Sequence, residues 1–407
     1  MEPLGAGYRY LTPVDIEKFY LGATQHPFYA LEEFEKAQGT VSTALGVPFW
    51  NVIYGAQAWR QINLEANVFG VLPKTDYPRS GWRVITALST AAESIVTGET
   101  GQIPGPYYPE IRVVRSRPKV LSVSFKVSEV ISELAARSAD DVWASMHEIR
   151  VYYMAEFAKQ INRLLLRPAV GRDARDIPVI DQASVTSLDQ IVSSADEATR
   201  VYGDVPDQVR QNVNVYGLDR FGADAWSNAI VLQPFEGSTQ PLTDALIRQL
   251  DVETKRKGAN PTDSGRLWIT GLKTWAAING LYTQFVRYFP ISEARITVGE
   301  MGYQYVPEGN QVGLRVSVLY NKPVILSADV YEDTGGYERI YLLDISDLEG
   351  FGAPRLGISI LRPVEYFETR AEHFPLLREF TYMGVYRMIA ETIARFIPGQ
   401  GKIRDLA

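Results

Sequence analysis

The sequence predicts an α+β fold built from two or three structural units. Strand-like alternation begins at Val120, a long amphipathic helix follows from about residue 138, and helical and strand patterns alternate again after Trp226. The chain has 407 residues, of which 46% are hydrophobic, and this is enough to bury a sizeable core. We therefore expect a globular α+β protein whose longest helix spans a whole domain.

The first 80 residues predict an extended arm. Glycine and proline interrupt this stretch repeatedly, and only Leu31 to Gln38 has a helical pattern. Its aromatic side chains either pack beneath the core of the same subunit or dock on neighbouring subunits. Both interpretations fit the sequence equally well.

Residues Gly98 to Pro109 predict a projecting loop, because six of these twelve positions are Gly or Pro and neither a helix nor a central strand persists through them.

A strand follows Arg117-Pro118-Lys119. Its apolar residues are Val120, Leu121, Val123, Phe125 and Val127, and Ser122, Ser124 and Lys126 face the other way.

The next segment predicts an amphipathic helix from Ser138 to Arg167. Ser138 can cap its start, and Pro168 stops it. Its predicted apolar face consists of Val142, Met146, Ile149, Tyr153, Phe157, Ile161 and Leu164. At 1.5 Å per residue, such a helix is about 40 Å long.

The remaining elements follow from shorter patterns. Helices are predicted near Thr186 to Ala198, over Pro241 to Lys257 and over Leu272 to Tyr288, with a buried strand at Arg266 to Thr270. An antiparallel meander is predicted from Val312 to Tyr320, Val324 to Val330 and Arg339 to Asp344, with a turn at Asn321-Lys322-Pro323. Val364 to Arg370 and Glu379 to Arg395 are predicted strands, although Tyr382 to Phe396 fits a helix equally well.

Composition excludes several classes of function. The chain has no cysteine, which rules out disulfides, thiolate catalysis and iron–sulfur clusters. The net charge is −7 and the basic residues are scattered, which argues against an extended phosphate-binding surface. The N-terminus has neither the basic start nor the apolar core of a signal peptide, and no apolar stretch is long enough for a membrane span, so we expect a soluble, unsecreted protein.

Motif searches do not identify a catalytic centre. The histidines are far apart, and His147-Glu148 is followed by Val151, so the metalloprotease spacing fails. Gly399-Gln400-Gly401-Lys402 lacks the first glycine and the Ser/Thr of a phosphate-binding loop, and we interpret it as a mobile tail. The sequence therefore predicts no catalytic, cofactor-binding or metal-ligating residue.

The order of these elements resembles that of the major capsid protein of tailed viruses, the Hong Kong 97 phage-like fold shared with encapsulins. The resemblance covers most of the chain. The similar phrases are Gly98-Glu99-Thr100-Gly101 with Ile103-Pro104, Arg117-Pro118-Lys119, Gly265 to Ala276, and Leu361 to Arg370 with Glu379 to Ile403.

The resemblance implies an N-terminal arm, an extended E-loop, a long spine helix, a P-domain and an A-domain. The implied boundaries are 1–82 for the arm, 83–118 for the E-loop with its flanking strands, 119–221 for the P-domain with the spine helix at about 138–167, 222–357 for the A-domain, 358–396 for a return through the P-domain, and 397–407 for a C-terminal A-domain tail. The implied inter-subunit contacts are Glu99, Ile103, Tyr107 and Tyr108 in the E-loop and Tyr8, Tyr10, Phe28 and Trp50 in the arm.

The function implied is that of a structural major capsid protein and not an enzyme. Such a protein assembles through pentamers and hexamers into an icosahedral shell that encloses the double-stranded DNA of a tailed virus without sequence-specific binding. Its implied partners are further copies of itself, a scaffolding protein, a portal and a decoration protein, with no cofactor and no membrane. The implied location is the virion, after assembly in the host cytoplasm.

Two departures limit the resemblance. The window Leu88 to Arg115 contains no lysine, which argues against the lysine–asparagine cross-links of some members, and no long charged coiled-coil segment precedes the arm, so we expect a separate scaffold.

Three alternatives stay open at this point. The first is an encapsulin-like nanocompartment shell, and the second is an α/β enzyme with a pocket near Trp268, Trp275 and Tyr282. The third is a tail or head-completion protein, which is expected to form rings.

Overall fold

A computed structural model of the chain describes residues 40–41, 67–77, 81–87, 109–129, 145–167, 170–172, 178–180, 183–234, 238–283, 293–299, 302–306, 314–333, 335–347, 353–369 and 381–407. The chain divides into two compact units. Unit 1 contains the described residues within Met1–Ala66, Val120–Ile161 and Arg362–Ile389. Unit 2 contains those within Asn67–Lys119, Asn162–Leu361 and Ala390–Ala407.

Helices and strands are interspersed along the described chain. The helices are α1 (Asn67–Val71), α2 (Ser145–Leu166), α3 (Leu188–Ile191), α4 (Ala195–Tyr202), α5 (Asp207–Val213), α6 (Asp244–Arg256) and α7 (Leu272–Thr283), with a 3-10 turn at Ala225–Ser227. The strands are β1 (Thr40–Val41), β2 (Lys74–Asp76), β3 (Gly81–Ala87), β4 (Glu110–Arg115), β5 (Lys119–Ser128), β6 (Val170–Arg172), β7 (Pro178–Ile180), β8 (Ile230–Leu232), β9 (Arg266–Thr270), β10 (Glu293–Gly299), β11 (Gly302–Val306), β12 (Leu314–Leu319), β13 (Lys322–Leu326), β14 (Ile340–Asp344), β15 (Leu356–Glu368), β16 (Thr381–Ala394) and β17 (Gly401–Ile403).

Unit 1 is built around a sheet in the order β1–β5–β16–β15. The predicted strand β5 is confirmed: Leu121, Phe125 and Val127 are buried on one face. Val120 was predicted to share that face, and this is wrong. It is 60% exposed, because consecutive residues of a strand point to opposite sides.

An aromatic cluster packs helix α2 on this sheet. The ring of Phe125 stacks on Tyr153 with 4.9 Å between centroids, and Tyr366 and Tyr386 lie 4.8 Å apart. The Arg150 guanidinium donates to the Glu368 carboxylate at 2.6 and 2.8 Å and to the Tyr366 hydroxyl at 3.1 Å. The cluster therefore joins α2, β5, β15 and β16 within one unit.

The long helix is confirmed over Ser145–Leu166, a length of about 33 Å, while its predicted start at Ser138 lies outside the described residues. Its last turns belong to unit 2, where the side chain of Asn162 is buried. The Asn162 amide oxygen accepts from the backbone N–H groups of Val68 and Phe69, and its nitrogen donates to the Asp329 carboxylate at 2.7 Å. Asn162 thus satisfies the free amides at the start of α1.

Unit 2 contains an eight-stranded sheet in the order β11–β10–β12–β13–β9–β14–β17–β8. Every residue of β9 is buried, and β9 pairs in parallel with β13 and antiparallel with β14. The predicted three-stranded meander is therefore wrong in its order. Strand β9 lies between the second and third predicted strands, β13 and β14. Of the three predicted strands, only β12 and β13 pair with each other, and this pair is antiparallel.

The turn between β12 and β13 is also shorter than predicted. Tyr320 and Asn321 have φ angles of 51° and 59°, which is the pattern of a two-residue hairpin turn. Lys322 and Pro323, predicted as turn residues, belong to β13, and this strand ends at Leu326.

Two other predictions are corrected, and one open alternative is decided. The predicted single helix at Thr186 to Ala198 is two helices, α3 and α4, each with a serine N-cap, and α5 follows. The segment predicted as either strand or helix, Tyr382 to Phe396, is strand β16 up to Ala394. The predicted mobile tail is strand β17, whose three residues are buried between β14 and β8.

The two predicted helices of unit 2 are confirmed with different ends. Helix α6 begins at Asp244 because the side chain of Thr243 accepts from the N–H of Leu246, and it ends before Gly258, which has a φ of 97°. Helix α7 runs from Leu272 to Thr283, and the remainder of its predicted length lies outside the described residues.

Candidate functional site

All eight predicted contact residues lie outside the described residues. They are Glu99, Ile103, Tyr107 and Tyr108 of the predicted loop and Tyr8, Tyr10, Phe28 and Trp50 of the predicted arm. The described residues that flank this loop form a separate two-stranded ribbon, β3 paired antiparallel with β4. Strand β3 ends directly before residues 88–109 and β4 begins directly after them, so these residues connect the two strands of the ribbon.

One end of the ribbon is anchored in unit 2. The ring of Trp82 packs edge-on against Tyr216 with 5.3 Å between centroids, and Val114, its cross-strand partner, is buried. A side chain at Gly81 would overlap the carbonyl oxygen of Val114, so this position requires glycine. The Arg112 guanidinium lies 3.9 Å from the Asp224 carboxylate.

One face of the ribbon is apolar and exposed. Ile85 is directly opposite Ile111, and Val113 follows two residues later on the same face. Their exposed fractions are 62%, 53% and 63%. Three adjacent, exposed β-branched side chains on one face are typical of a surface that is covered by a partner.

A buried cluster of charged groups in unit 2 is a second candidate site. The Asp189 carboxylate accepts from Arg339 at 2.6 Å, Tyr341 at 3.0 Å and Lys402 at 3.1 Å. Burial alone would raise its pKa, but the cations Arg339 and Lys402 hold the pKa of Asp189 well below its usual range. Glu197 accepts from Lys402 at 2.8 Å.

This cluster connects strands and helices. It joins α3 and α4 to β14 and β17, and the ion pairs compensate each buried cation. The nearby Arg220 is also fully buried, and its guanidinium donates to the backbone carbonyls of Gln190, Ile191 and Ser193 at the end of α3. Burial lowers the pKa of Arg220 to about 10. We interpret these contacts as structural, since the bonded atoms are engaged within the fold.

The tryptophans proposed for an enzyme pocket lie in the core of unit 2. Trp268 is 1% exposed, and its indole N–H donates to the carbonyl oxygen of Leu319 at 3.1 Å. Trp275 is buried in the same apolar cluster. The side chain of Tyr282 lies outside the described residues. Packing accounts for both tryptophans, and for Trp268 a satisfied hydrogen bond adds to it.

Two further searches concern the described residues alone. They contain no group of three or more histidine or acidic side chains that could hold a metal ion. None of their helices is long and apolar enough to cross a membrane.

The candidate residues that sequence reasoning missed are those of the ribbon itself: Trp82, Arg83, Ile85, Ile111, Val113, Arg115 and Arg117. The boundary 83–118 includes almost all of them, and alternation in Ile111 to Val113 is visible in the sequence. Their exposure is not visible there, because it depends on what else packs on the ribbon.

No protein-family model and no curated protein matches the chain. Solved structures do match. The chain is similar to the capsid asymmetric unit of cyanophage A-1(L), with 14% identity and a TM-score of 0.57 over 90% of this chain and 98% of that chain. It also matches the capsid of a native GTA particle, with 12% identity and a TM-score of 0.47 over 88% of this chain and 93% of that chain. The SrpI encapsulin of Synechococcus elongatus PCC 7942 matches with 11% identity and a TM-score of 0.46 over 88% of this chain and 92% of that chain.

The cyanophage structure carries the conclusion about the fold, because its TM-score exceeds 0.5 and nearly all of both chains is aligned. Element order, the long helix and the mixed sheets agree with the expectation from the sequence. The chain has the α+β fold of Hong Kong 97-like capsid proteins.

Proposed function

We propose that this chain is a structural major capsid protein that assembles through pentamers and hexamers into an icosahedral shell around the double-stranded DNA of a tailed virus. The observation that carries the proposal is the end-to-end similarity to a phage capsid subunit, which leaves almost none of that chain unmatched. The exposed apolar face of the ribbon gives additional support, because such a face is suited to contact a neighbouring subunit.

A closed shell requires the same contacts to repeat between subunits until the whole surface is closed. Each contact joins different surfaces of two identical copies, and stability comes from many moderate contacts held at once. Covering a large aliphatic side chain contributes about 1.5 to 3 kcal/mol, so the three ribbon residues supply a useful contact when repeated around a closed lattice. This repetition favours a structural role and not catalysis.

The assignment of domains is part of the proposal. We assign 1–82 to the arm, 83–118 to the E-loop and its strands, 119–221 and 358–396 to the P-domain, and 222–357 with 397–407 to the A-domain. A scaffolding protein, a portal and a decoration protein are the proposed partners. The proposed location is the virion, with assembly in the host cytoplasm.

Electron microscopy tests the proposal directly. The full-length protein is expressed alone and together with the neighbouring genes of its operon, then examined by negative stain and mass photometry. Closed particles, or isolated pentamers and hexamers, support it, and a monodisperse monomer or dimer under all conditions contradicts it. Nuclease-protected DNA in particles produced during infection distinguishes a genome shell from one that holds cargo enzymes.

The E-loop assignment has its own test. Replacing Ile103, Tyr107 and Tyr108 together by serine should leave a folded monomer that forms no shells, because the proposed contacts are lost. Gln102→Ser in the same loop is the matched control and should assemble normally. Circular dichroism verifies folding, and normal particles from the triple variant would show that the assignment is wrong.

A further inference from the structure

A pocket with three arginines lies at the base of the β3–β4 ribbon. Its volume is about 560 Å³, and Trp82, Arg83, Val113, Arg115, Ser116 and Arg117 line it. Arg83 pairs in register with Val113, so Arg83 and Arg115 are diagonal neighbours on one face of the ribbon. The pocket therefore concentrates positive charge in a chain whose net charge is −7.

These arginines have no partner within the part of the chain that the structure describes. None of Arg83, Arg115 and Arg117 makes an ion pair or a side-chain hydrogen bond with a described residue, whereas Arg112 on the opposite face lies near Asp224. Neighbouring guanidinium groups repel one another, and a bound oxyanion relieves that repulsion.

The arginines are on the accessible side of the ribbon. Arg83, Arg115 and Arg117 are all exposed. Trp82 pairs with the buried Val114 and packs on Tyr216, so its side chain lies on the opposite face from Arg83. The face that carries Arg83 and Arg115 is therefore open to a partner.

The pocket continues into the apolar face of the ribbon. Val113 lines the pocket and also belongs to the exposed group with Ile85 and Ile111. A ligand that covers both must offer oxyanions and apolar side chains close together. A protein segment meets this requirement, and a nucleic-acid backbone does not, because its phosphates are not interleaved with apolar groups.

We propose that this pocket binds the carboxylates of Glu32, Glu33 and Glu35 from a second copy of the chain, with Leu31 and Phe34 covering the apolar face of the ribbon. Glu32 to Glu35 is the only four-residue window of the sequence with three acidic residues; Phe34 lies within it, and Leu31 directly precedes it. The number of charges matches the three arginines. This inference rests on the proposed self-assembly, since a second copy supplies the segment.

A peptide-binding measurement tests the pocket without requiring shells. A fluorescent peptide of residues 28–38 is titrated by anisotropy against full-length protein that carries Glu32→Gln, Glu33→Gln and Glu35→Gln, so that its own segment does not compete; the wild-type chain is titrated in parallel. We expect the combined substitutions Arg83→Gln, Arg115→Gln and Arg117→Gln to weaken binding at least about tenfold. The neutralised peptide, with three Glu→Gln changes, should lose binding similarly.

The controls separate this site from general charge attraction. Arg256→Gln removes an exposed arginine on α6 and should leave the affinity unchanged. Equal binding by the pocket variant, or no peptide binding at all, overturns the proposal. Tighter binding of a 20-base-pair DNA than of the peptide, lost in the pocket variant, also overturns it, because the pocket would then be a phosphate site.

A mixing experiment tests whether the segment comes from a second copy. One variant carries Arg83→Glu, Arg115→Glu and Arg117→Glu, and the other carries Glu32→Arg, Glu33→Arg and Glu35→Arg. Each alone should remain monomeric in mass photometry, and an equimolar mixture should form mixed oligomers, because contacts between unlike copies are complementary. Closed particles are not the readout, since a ring of five cannot alternate two kinds of copy. Recovery in a single chain with all six changes, without recovery in the mixture, shows a contact within one chain and overturns the proposal. If the wild-type chain forms no shells, the proposed function fails, and the peptide titration still decides the pocket.

Discussion

The buried sheet of unit 2 and the β3–β4 ribbon both contain basic residues, but they differ in whether carboxylates of the same chain neutralise them. In the sheet, buried basic groups such as Arg339 and Lys402 are held by carboxylates of the same chain at 2.6 to 3.1 Å. In the ribbon, Arg83, Arg115 and Arg117 have no described partner, and Ile85 and Val113 are more than half exposed. These buried cations are therefore neutralised within one chain, whereas we propose that the arginines of the ribbon are neutralised by a further subunit.

The largest effect is expected when the buried sheet is broken. Asp189→Ala removes the carboxylate shared by Arg339 and Lys402, and we expect a loss of about 4 kcal/mol in the free energy of unfolding, because each buried cation then keeps only one carboxylate partner, Asp333 for Arg339 and Glu197 for Lys402. Urea denaturation measures this loss. The matched control is Asp196→Ala in the first turn of α4, an exposed carboxylate whose loss should cost less than about 1 kcal/mol.

This difference should depend on pH in a defined direction. Because the folded-state pKa of Asp189 is lowered, its contribution is present above the unfolded pKa, about 4, and is lost as the pH falls through the folded value. Wild type and Asp189→Ala should therefore converge in strong acid. A constant gap down to low pH would mean that the lost packing, and not the lost charge, destabilises the variant.

A smaller effect, of opposite sign, is expected at Glu391 in β16. Burial raises the pKa of Glu391 to about 7, although its carboxyl group accepts from the backbone N–H groups of Thr186 and Thr392. The folded state therefore binds the proton more tightly than the unfolded state, so stability falls as the pH rises from about 4.5 to about 7.

Glu391→Gln should remove this decrease in the free energy of unfolding between pH 4.5 and pH 7. At pH 8 we expect the variant to be more stable than wild type by about 3 kcal/mol, and at pH 4 the two should be equal. Urea denaturation across this pH range is the measurement, with the exposed Glu332→Gln as control. A variant that is less stable than wild type at pH 8 would show that ionised Glu391 is stabilised by its surroundings.

The smallest effect on folding is expected in the ribbon. Ile85→Ser with Val113→Ser should change the free energy of unfolding by less than about 0.5 kcal/mol, because both side chains are already exposed. The same variant should fail to form particles in the microscopy assay. Val252→Ser, an exposed position on α6, is the control and should retain assembly. Normal assembly by the ribbon variant would mean that this face is not an interface.

Local patterns predicted much of the fold. The helix at Ser145–Leu166, the strand Lys119–Ser128 and the buried strand Arg266–Thr270 are all close to their predicted positions. In each case the period of apolar residues and the flanking Gly or Pro residues identify the element without reference to the rest of the chain. The E-loop and arm contacts remain predictions, since those residues lie outside the described part of the chain.

Pairing between distant segments could not be predicted in the same way. Strand β9 separates β13 from β14, although no residue of those strands indicates this order. Lys402 is 1% exposed in a strand of three residues, and its burial depends on Asp189 and Glu197, which are two hundred residues away. The ribbon pocket was missed for a related reason: an arginine in a sequence carries no sign of whether an acid lies beside it in the fold.

The position of β17 has a consequence for synthesis. Among the described strands, β8 at residues 230–232 pairs only with β17, which is made about 170 residues later, and β14 gains its second described neighbour only when β17 is added. While the ribosome is still translating the intervening residues, the sheet of unit 2 is open at this edge. A nascent subunit therefore closes this edge of the sheet only after β17 has been made and has left the exit tunnel, long after β8 has emerged.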